Sequence, residues 1–388
     1  MNRNVWLLFI CQSLIGASAF CQVAISALIG HSLALDKSLA TLPYALQMLG
    51  TMCASIPAGL IFARLGRRAG FYLGAAATLA GTALFALGVL REDFLLYCLG
   101  ALPMGIGFGI GQHYRFAAAE VAGAAARSRA IALVMAGGLV AAVVGPQIIS
   151  LTKDALPPFL FVGTYLAMAA LPIVCMLLLA VVELPPAPQR VSSPSPVTAM
   201  ITRPAFVTAV IAGLVAYGSM NLIMTATPLQ MMLCGFGVDS STGVIQAHSI
   251  AMFAPGFITG RLIGRFGVHR VICAGAALDI GCAALSLAAP TYMNFIVALS
   301  MLGVGWNLMF VGATALLATA HDAAERVRAQ AANDFIVFGT VTATSFASGA
   351  LENTAGWVAV NAAVVLPILA ALALVLWHRA RRGQLIAA

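Results

Sequence analysis

The stretch GLIFARLGRR occupies residues 59–68, and the related stretch GRLIGRFGVHR occupies residues 260–270. Each stretch follows a long apolar segment and carries basic residues on both sides of a glycine. The two align at a constant offset, with Gly59, Arg64 and Gly66 matching Gly260, Arg265 and Gly267, and with Arg67 and Arg68 closing the first stretch. This internal repeat indicates a chain built from two related halves, joined head to tail.

The composition places both halves in a membrane. The chain has 388 residues, of which 62% are hydrophobic and 8% charged, and its mean hydropathy is +1.00. Soluble domains carry about 25% charged residues. A chain this long with so few charges cannot cover a surface that faces water, so we predict a polytopic membrane protein.

Apolar segments long enough to cross a bilayer, which takes roughly 20 residues, divide the chain into twelve predicted spans. They fall near residues 5–28, 39–62, 70–90, 94–118, 130–150, 158–182, 204–232, 242–264, 270–289, 292–319, 331–350 and 357–378. A polar, proline-rich stretch separates the sixth span from the seventh and predicts a linker. The expected organisation is all-helical, with one six-helix half at 1–183, a linker at 184–203 and a second half at 204–388.

Basic residues set the predicted orientation. If the chain begins in the cytoplasm, the segments on that side hold most of the Lys and Arg, and the opposite side holds only Lys37, Arg91 and Lys153. The positive-inside rule therefore predicts that both termini and the linker are cytoplasmic. The same asymmetry explains the net charge of +8 without nucleic acid as a partner. The expected partner of this surface is the lipid bilayer.

The stretch at 59–68 resembles the signature between helices 2 and 3 of the major facilitator superfamily, G-x-L-x-D-R-x-G-R-R. The match departs at Ala63, where the family has Asp. In the family that Asp belongs to a charge contact on the cytoplasmic side, so its loss puts the contact in doubt here. The resemblance implies a twelve-helix fold of two six-helix halves that moves a solute by alternating access.

Two further pairs of residues suggest a metal. Met220 and Met224 lie four apart in the seventh span, and His248 and Met252 lie four apart in the eighth. Residues four apart share one face of a helix, and the pairs overlap in predicted depth. Thioethers with an imidazole suit copper, and the lack of carboxylates argues against calcium or magnesium. The alternatives are packing methionines and a histidine hydrogen-bonded to a neighbouring helix.

The combination of MxxxM and HxxxM resembles the CcoA-like copper importers, a bacterial branch of the superfamily. The resemblance implies copper as the transported substrate, with Met220, Met224, His248 and Met252 as its ligands. It also implies a bacterial inner membrane, delivery to cytoplasmic copper carriers, and supply of copper for haem–copper oxidase assembly. No resident cofactor and no enzymatic activity are expected.

Two rival interpretations stay open. A carrier of an organic solute, either a drug exporter or a riboflavin-type vitamin importer, predicts an aromatic-lined central cavity and Met/His pairs used for packing. A copper-binding sensor or assembly factor predicts metal binding without uptake into vesicles. The absence of a GxxxxGK[ST] motif argues against an ATP-driven motor, so transport is expected to run on gradients.

Four ionisable residues in the predicted spans or at the end of one are further candidates for the site. They are His113, Arg115, Glu120 and Asp279. Ionisable residues within spans usually face a cavity or one another. Arg115 and Glu120 are candidates for a proton relay or for a structural ion pair, and Asp279 for a proton carrier or an interhelical hydrogen bond.

Overall fold

The computed structural model describes residues 2–122, 126–184, 203–320 and 326–387. Among these residues the regular structure is helical, with one short 3-10 turn at Lys37–Leu39. The helices are α1 (Arg3–Leu33), α2 (Leu42–Leu90), α3 (Phe94–Gly111), α4 (Tyr114–Val121), α5 (Arg127–Thr152), α6 (Val162–Val181), α7 (Pro204–Leu233), α8 (Val238–Phe253), α9 (Gly256–Phe266), α10 (Val268–Ser286), α11 (Tyr292–Ala318) and α12 (Arg326–Ala387). Helices satisfy their own backbone hydrogen bonds, which a bilayer interior requires.

Every predicted span falls largely on helical residues. The long helix α2 contains the second and third predicted spans, and α12 contains the last two. The eighth predicted span is divided between α8 and α9, which are too short to span a membrane singly. Nine helices of the described residues are long and apolar enough to cross a membrane. The all-helical prediction is confirmed, and the count of twelve spans stays a prediction with which the helices agree.

The repeat found in the sequence is also present in the backbone. Gly66 interrupts α2 with φ 81° and ψ 162°, and Gly267 separates α9 from α10 with φ 84° and ψ 150°. A positive φ favours glycine because a Cβ atom would collide with the backbone. The two matched glycines therefore make the same break at the same place in each half. A third break, at Gly356 in α12, has φ 77°.

The chain folds into two compact units. Unit 1 comprises residues 1–191 with 237–246, and unit 2 comprises 192–236 with 247–388. Most of the predicted linker at 184–203 lies outside the described residues. The core of unit 1 packs α1 against α2, α4 and α6 through Leu8, Phe71, Tyr114 and Leu179, among others.

A closed ring of hydrogen bonds lies in the apolar interior of unit 1. The Gln22 amide donates to the Tyr97 hydroxyl over 3.2 Å, and the Tyr165 hydroxyl donates to the Gln22 carbonyl over 3.0 Å. The two hydroxyls lie 2.6 Å apart. All three side chains are fully buried. Because each pairs with the other two, the ring ties α1, α3 and α6 together and offsets the cost of burying three polar side chains.

In unit 2, α7 packs against α11 and α12. Gly218 of α7 permits a close approach to α12, since a Cβ atom there would lie 2.9 Å from Cγ2 of Thr340. Asn221, one turn further, donates to the Val341 carbonyl over 3.1 Å and to the Ser345 hydroxyl over 2.8 Å. These contacts fix the rotation of α7, which carries two of the predicted copper ligands.

Candidate functional site

The four residues predicted to bind copper are all in the interior of unit 2. Met220 and Met224 on α7 are 1% and 4% exposed, and His248 and Met252 on α8 are 0% and 4% exposed. Their convergence on a single ion stays a prediction. Among the described residues, no group of three or more His, Cys, Asp or Glu could hold a metal. That finding does not bear on thioether ligands.

His248 is held in one tautomer by its neighbour. Its Nδ1 lies 2.7 Å from the Leu299 carbonyl of α11. A carbonyl only accepts, so Nδ1 carries the proton and Nε2 presents its lone pair. Nε2 is buried and has no hydrogen-bond partner among the described residues. This hydrogen bond is the one expected if His248 has a structural role and joins two helices. Metal-bound histidines also donate their other ring N–H to such an acceptor, so the bond fits a metal ligand as well.

Two further contacts anchor α8 and α9 on α11. The Asn307 amide nitrogen donates to the Met252 carbonyl over 2.7 Å, and the Thr259 hydroxyl donates to the Asn307 amide oxygen over 2.6 Å. Gly303 allows the backbones to meet, because a Cβ atom there would lie 2.6 Å from the His248 carbonyl oxygen. The backbone carbonyl of Met252 therefore has a hydrogen-bond partner at the point where the eighth predicted span breaks between α8 and α9.

An aromatic cluster, formed by Tyr217, Phe253, Trp306, Phe310 and Phe338, lies in unit 2. The Tyr217 ring centroid is 5.3 Å from those of Trp306 and Phe310 and 6.1 Å from that of Phe338. Trp306 stacks on Phe310 at 5.2 Å and 12°, and lies 6.3 Å from Phe253. The cluster joins α7, α8, α11 and α12.

The rings of the cluster differ in how far they are buried. Trp306 is 7% exposed, while the other four rings are only partly buried. The indole Nε1 of Trp306 is buried without a hydrogen-bond partner among the described residues. Buried indole N–H groups usually find a partner, and aromatic faces attract further aromatic rings. The cluster therefore combines four partly buried rings with one buried indole donor that is unpaired among the described residues.

Sequence reasoning missed this cluster because its members come from four separate segments. Spacing along the chain cannot show that Tyr217, Phe253 and Phe338 meet in space. One signal was present: Trp306 and Phe310 are four apart and must share a face of a helix.

The structure gives Glu120 an ion-pair partner that the sequence did not indicate, and a relay between Arg115 and Glu120 stays a prediction. Glu120 forms its ion pair with Arg67 of the signature loop. The Arg115 guanidinium lies 4.8 Å from the Phe116 ring centroid, and its Nη1 lies 3.9 Å from the Met135 sulfur. Glu120 lies near the end of α4, next to the 59–68 stretch, and this brings it to the loop arginine.

The signature arginines have different roles. The Arg67 side chain is 7% exposed and lies over the Phe62 ring, whereas Arg64 is exposed. Arg68 donates to the Val182 carbonyl over 2.6 Å at the end of α6. In the second loop, the Arg265 guanidinium lies 5.3 Å from the ring centroid of Phe266. The first loop thus ties α2 to α4 and α6.

The last two polar residues predicted within spans differ in their surroundings. His113 lies between α3 and α4, where its Nδ1 is 3.3 Å from the Gly109 carbonyl and its ring packs on Phe62 and Phe116. Asp279 is fully buried in α10.

Comparison with known proteins decides the family. The family model described as the Major Facilitator Superfamily matches residues 8–343. The chain belongs to the major facilitator superfamily. Two solved structures share its fold: a D-xylose-proton symporter, with TM-score 0.73 and 17% identity over 95% of this chain and 96% of that one, and the xylose transporter XylE from E. coli, with TM-score 0.71 and 14% identity over 96% and 97%.

Curated relatives of this major facilitator protein cover almost its whole length. The riboflavin transporter RfnT of Brucella anthropi is 39% identical over 373 residues, which are 95% of this chain and 94% of that protein. The uncharacterized transporter YdeG of Bacillus subtilis is 25% identical, over 98% and 93% of the two chains. The chain is therefore a multi-pass membrane transporter, of a family whose members are not enzymes. Neither relative is described as a copper transporter, and the expected copper importer branch has no support from them.

The ion pair between Arg67 and Glu120 yields a stability prediction. Replacing Glu120 by Gln leaves a buried guanidinium without its counter-charge, so Glu120→Gln is expected to lower the free energy of unfolding by about 2 kcal/mol. The double variant Arg67→Met/Glu120→Gln removes both charges and should recover most of that loss. Thermal unfolding of detergent-purified protein measures both effects.

The control for this experiment is Arg64→Met, which removes an exposed arginine of the same loop. It should leave the unfolding temperature unchanged. Equal unfolding temperatures for Glu120→Gln and Arg64→Met would show that the ion pair does not stabilise the fold.

Proposed function

We propose that this chain imports a small organic solute with a planar aromatic ring system, and that riboflavin is its first candidate cargo. The observation that carries the proposal is the aromatic cluster of unit 2. It provides stacking faces from α7, α8, α11 and α12 and a buried indole donor at Trp306. Small-molecule sites are mostly apolar and aromatic, with a few placed polar groups.

The similarity to the Brucella anthropi riboflavin transporter supports the same cargo. At 39% identity over 95% of the chain, the two proteins share their fold throughout, and they are close enough for a shared substrate class to be the first hypothesis to test. Under this proposal Met220, Met224 and Met252 pack the interior of unit 2, and His248 fastens α8 to α11.

The proposed cycle is alternating access in a bacterial inner membrane, with both termini in the cytoplasm. The basic residues of the loops support that orientation through the positive-inside rule. An aromatic ring stacked on the cluster would lose water from the face that meets it, and burial of that aromatic area favours binding.

Copper is the second candidate cargo, and one observation favours it. His248 has its Nδ1 bonded to a backbone carbonyl and its Nε2 buried without a partner among the described residues. Three methionines at Met220, Met224 and Met252 are buried in the same unit. These are the ligand types that copper prefers. A copper-binding protein without transport would use the same residues.

The riboflavin proposal is tested by uptake in riboflavin-auxotrophic bacteria that lack their own importer. Expression of this chain should restore uptake of radiolabelled riboflavin. Tyr217→Ala removes the ring that contacts three others, and it should lower uptake at limiting riboflavin about tenfold, the equivalent of an aromatic contact of about 1.4 kcal/mol.

The matched control is Phe236→Ala, because Phe236 belongs to a different aromatic group with Phe295, at 5.9 Å. It should transport as the unaltered chain does at equal membrane abundance. No uptake above the empty vector, or equal uptake by Tyr217→Ala and Phe236→Ala, would contradict the proposal.

A copper measurement separates the two cargoes. The riboflavin proposal predicts that cellular copper, measured by mass spectrometry, is the same with and without expression of the chain. The paired variants are Met224→Leu and Met231→Leu, which exchange buried methionines of one helix for a residue of similar volume. Copper would be the cargo instead if expression of the unaltered chain raised cellular copper, Met224→Leu abolished the rise and Met231→Leu preserved it.

A further inference from the structure

Asp279 carries a carboxyl group buried in the interior of unit 2. It lies near the middle of α10 and is 0% exposed. Neither of its carboxyl oxygens has a hydrogen-bond partner among the described residues. Among the described carboxyl groups with buried, unpaired oxygens, Glu120 and Glu352 each have one such oxygen, whereas Asp279 has two. An unpaired acidic side chain at this depth is costly and indicates a function.

The neighbouring helix is shaped around this carboxyl group. A Cβ atom on Gly305 of α11 would lie 2.1 Å from Asp279 Oδ1, so no other residue type fits there without displacing the carboxyl. Gly275, one turn before Asp279, also meets α11 closely, because its Cβ atom would lie 2.6 Å from the Gly305 carbonyl oxygen. Two glycines thus form a cleft between α10 and α11 that the Asp279 side chain occupies.

Within the described part of the chain, no counter-charge reaches this cleft from the helices that pack on α10. These are α7, α9, α11 and α12, of which α7 and α11 contain no charged residue. The charged side chains described on the other two are Arg261 and Arg265 on α9 and Asp334, Glu352, Arg379 and Arg381 on α12, and none forms an ion pair with Asp279. On α10 itself, His269 bonds to His378, Arg270 is exposed, and Cys282 is the titratable residue one turn beyond Asp279.

In these surroundings the Asp279 carboxyl group is stable only in its neutral, protonated form. An ionised carboxylate that loses water without gaining a counter-ion or donors is strongly unfavourable, whereas the neutral acid is tolerated. To release the proton, Asp279 must gain water or a donor, and this requires that the contact between α10 and α11 open. Proton release is then linked to a change of helix packing, which is the requirement for coupling a proton to transport.

We propose that Asp279 is the proton-binding residue that couples this carrier to a proton gradient. The carboxylate takes up one proton from the side of higher proton concentration when the cleft is open to it. The cleft of α10 and α11 closes on the neutral acid, and the proton leaves to the other side when the cleft opens there. The cycle returns Asp279 to its starting state and needs no ATP. The inference does not depend on which cargo the carrier moves.

The first test needs no cargo. Infrared spectra of the purified protein at neutral pH should contain the C=O stretch of a protonated carboxylic acid, and labelling aspartate with ¹³C should shift that band. Asp279→Asn should remove it, whereas Glu92→Gln, which alters an exposed carboxyl, should not. A spectrum without an aspartic acid band at neutral pH in the unaltered protein would overturn the proposal, whether or not the variant folds.

The second test uses proteoliposomes with radiolabelled riboflavin, or with copper if the uptake experiments identify copper as the cargo. Asp279→Asn should lose accumulation driven by an imposed pH gradient, down to the level of empty liposomes, while it keeps exchange of labelled for unlabelled cargo. Retained exchange shows that the variant is folded and binds cargo. Accumulation by Asp279→Asn equal to that of the unaltered protein would overturn the coupling role, and loss of both accumulation and exchange would make Asp279 a structural residue.

Discussion

The lack of water inside a bilayer is the constraint on which this structure depends. Polar groups within the spans must pair inside the protein, and several elements of the fold are joined where they do. Asn221 secures α7 to α12, Asn307 secures the break between α8 and α9 to α11, and the Gln22 ring secures three helices of unit 1. The indole donor of Trp306 and the carboxyl of Asp279 are among the buried groups that have no partner among the described residues, and the proposed functions use these two.

Much of the fold could be predicted from the sequence because the bilayer imposes it on composition. Local features of the sequence indicate the length of the spans, the basic loops and the repeat. The positive φ angles at Gly66 and Gly267 confirm the repeat. The helix boundaries could not be predicted as well. Helix α2 continues past the signature loop as one element with a break, and the eighth predicted span divides in two, because glycines and prolines within apolar segments do not show where a helix bends.

The candidate site was predicted only in part. Residue type and helical spacing identified Met220, Met224, His248 and Met252, and all four are buried. Spacing could not show which atoms remain unpaired, nor that rings from four helices meet around Tyr217 and Trp306. Likewise, Arg115 is five residues from Glu120 along the chain, yet Arg67 provides the counter-charge, since the ion pair depends on how α2 and α4 pack. Contacts between segments that are distant in the sequence determine the unpaired atoms, the aromatic cluster and the partner of Glu120.

The central claim is that the aromatic cluster receives a planar ring. The most direct measurement is the fluorescence of riboflavin titrated with the purified protein in detergent. Stacking of the isoalloxazine ring on tryptophan and tyrosine quenches its emission, so the account predicts saturable quenching that excess non-fluorescent flavin analogues reverse. Emission that is unchanged at saturating protein, in a preparation that binds copper stoichiometrically, would contradict the account and assign the interior of unit 2 to the metal.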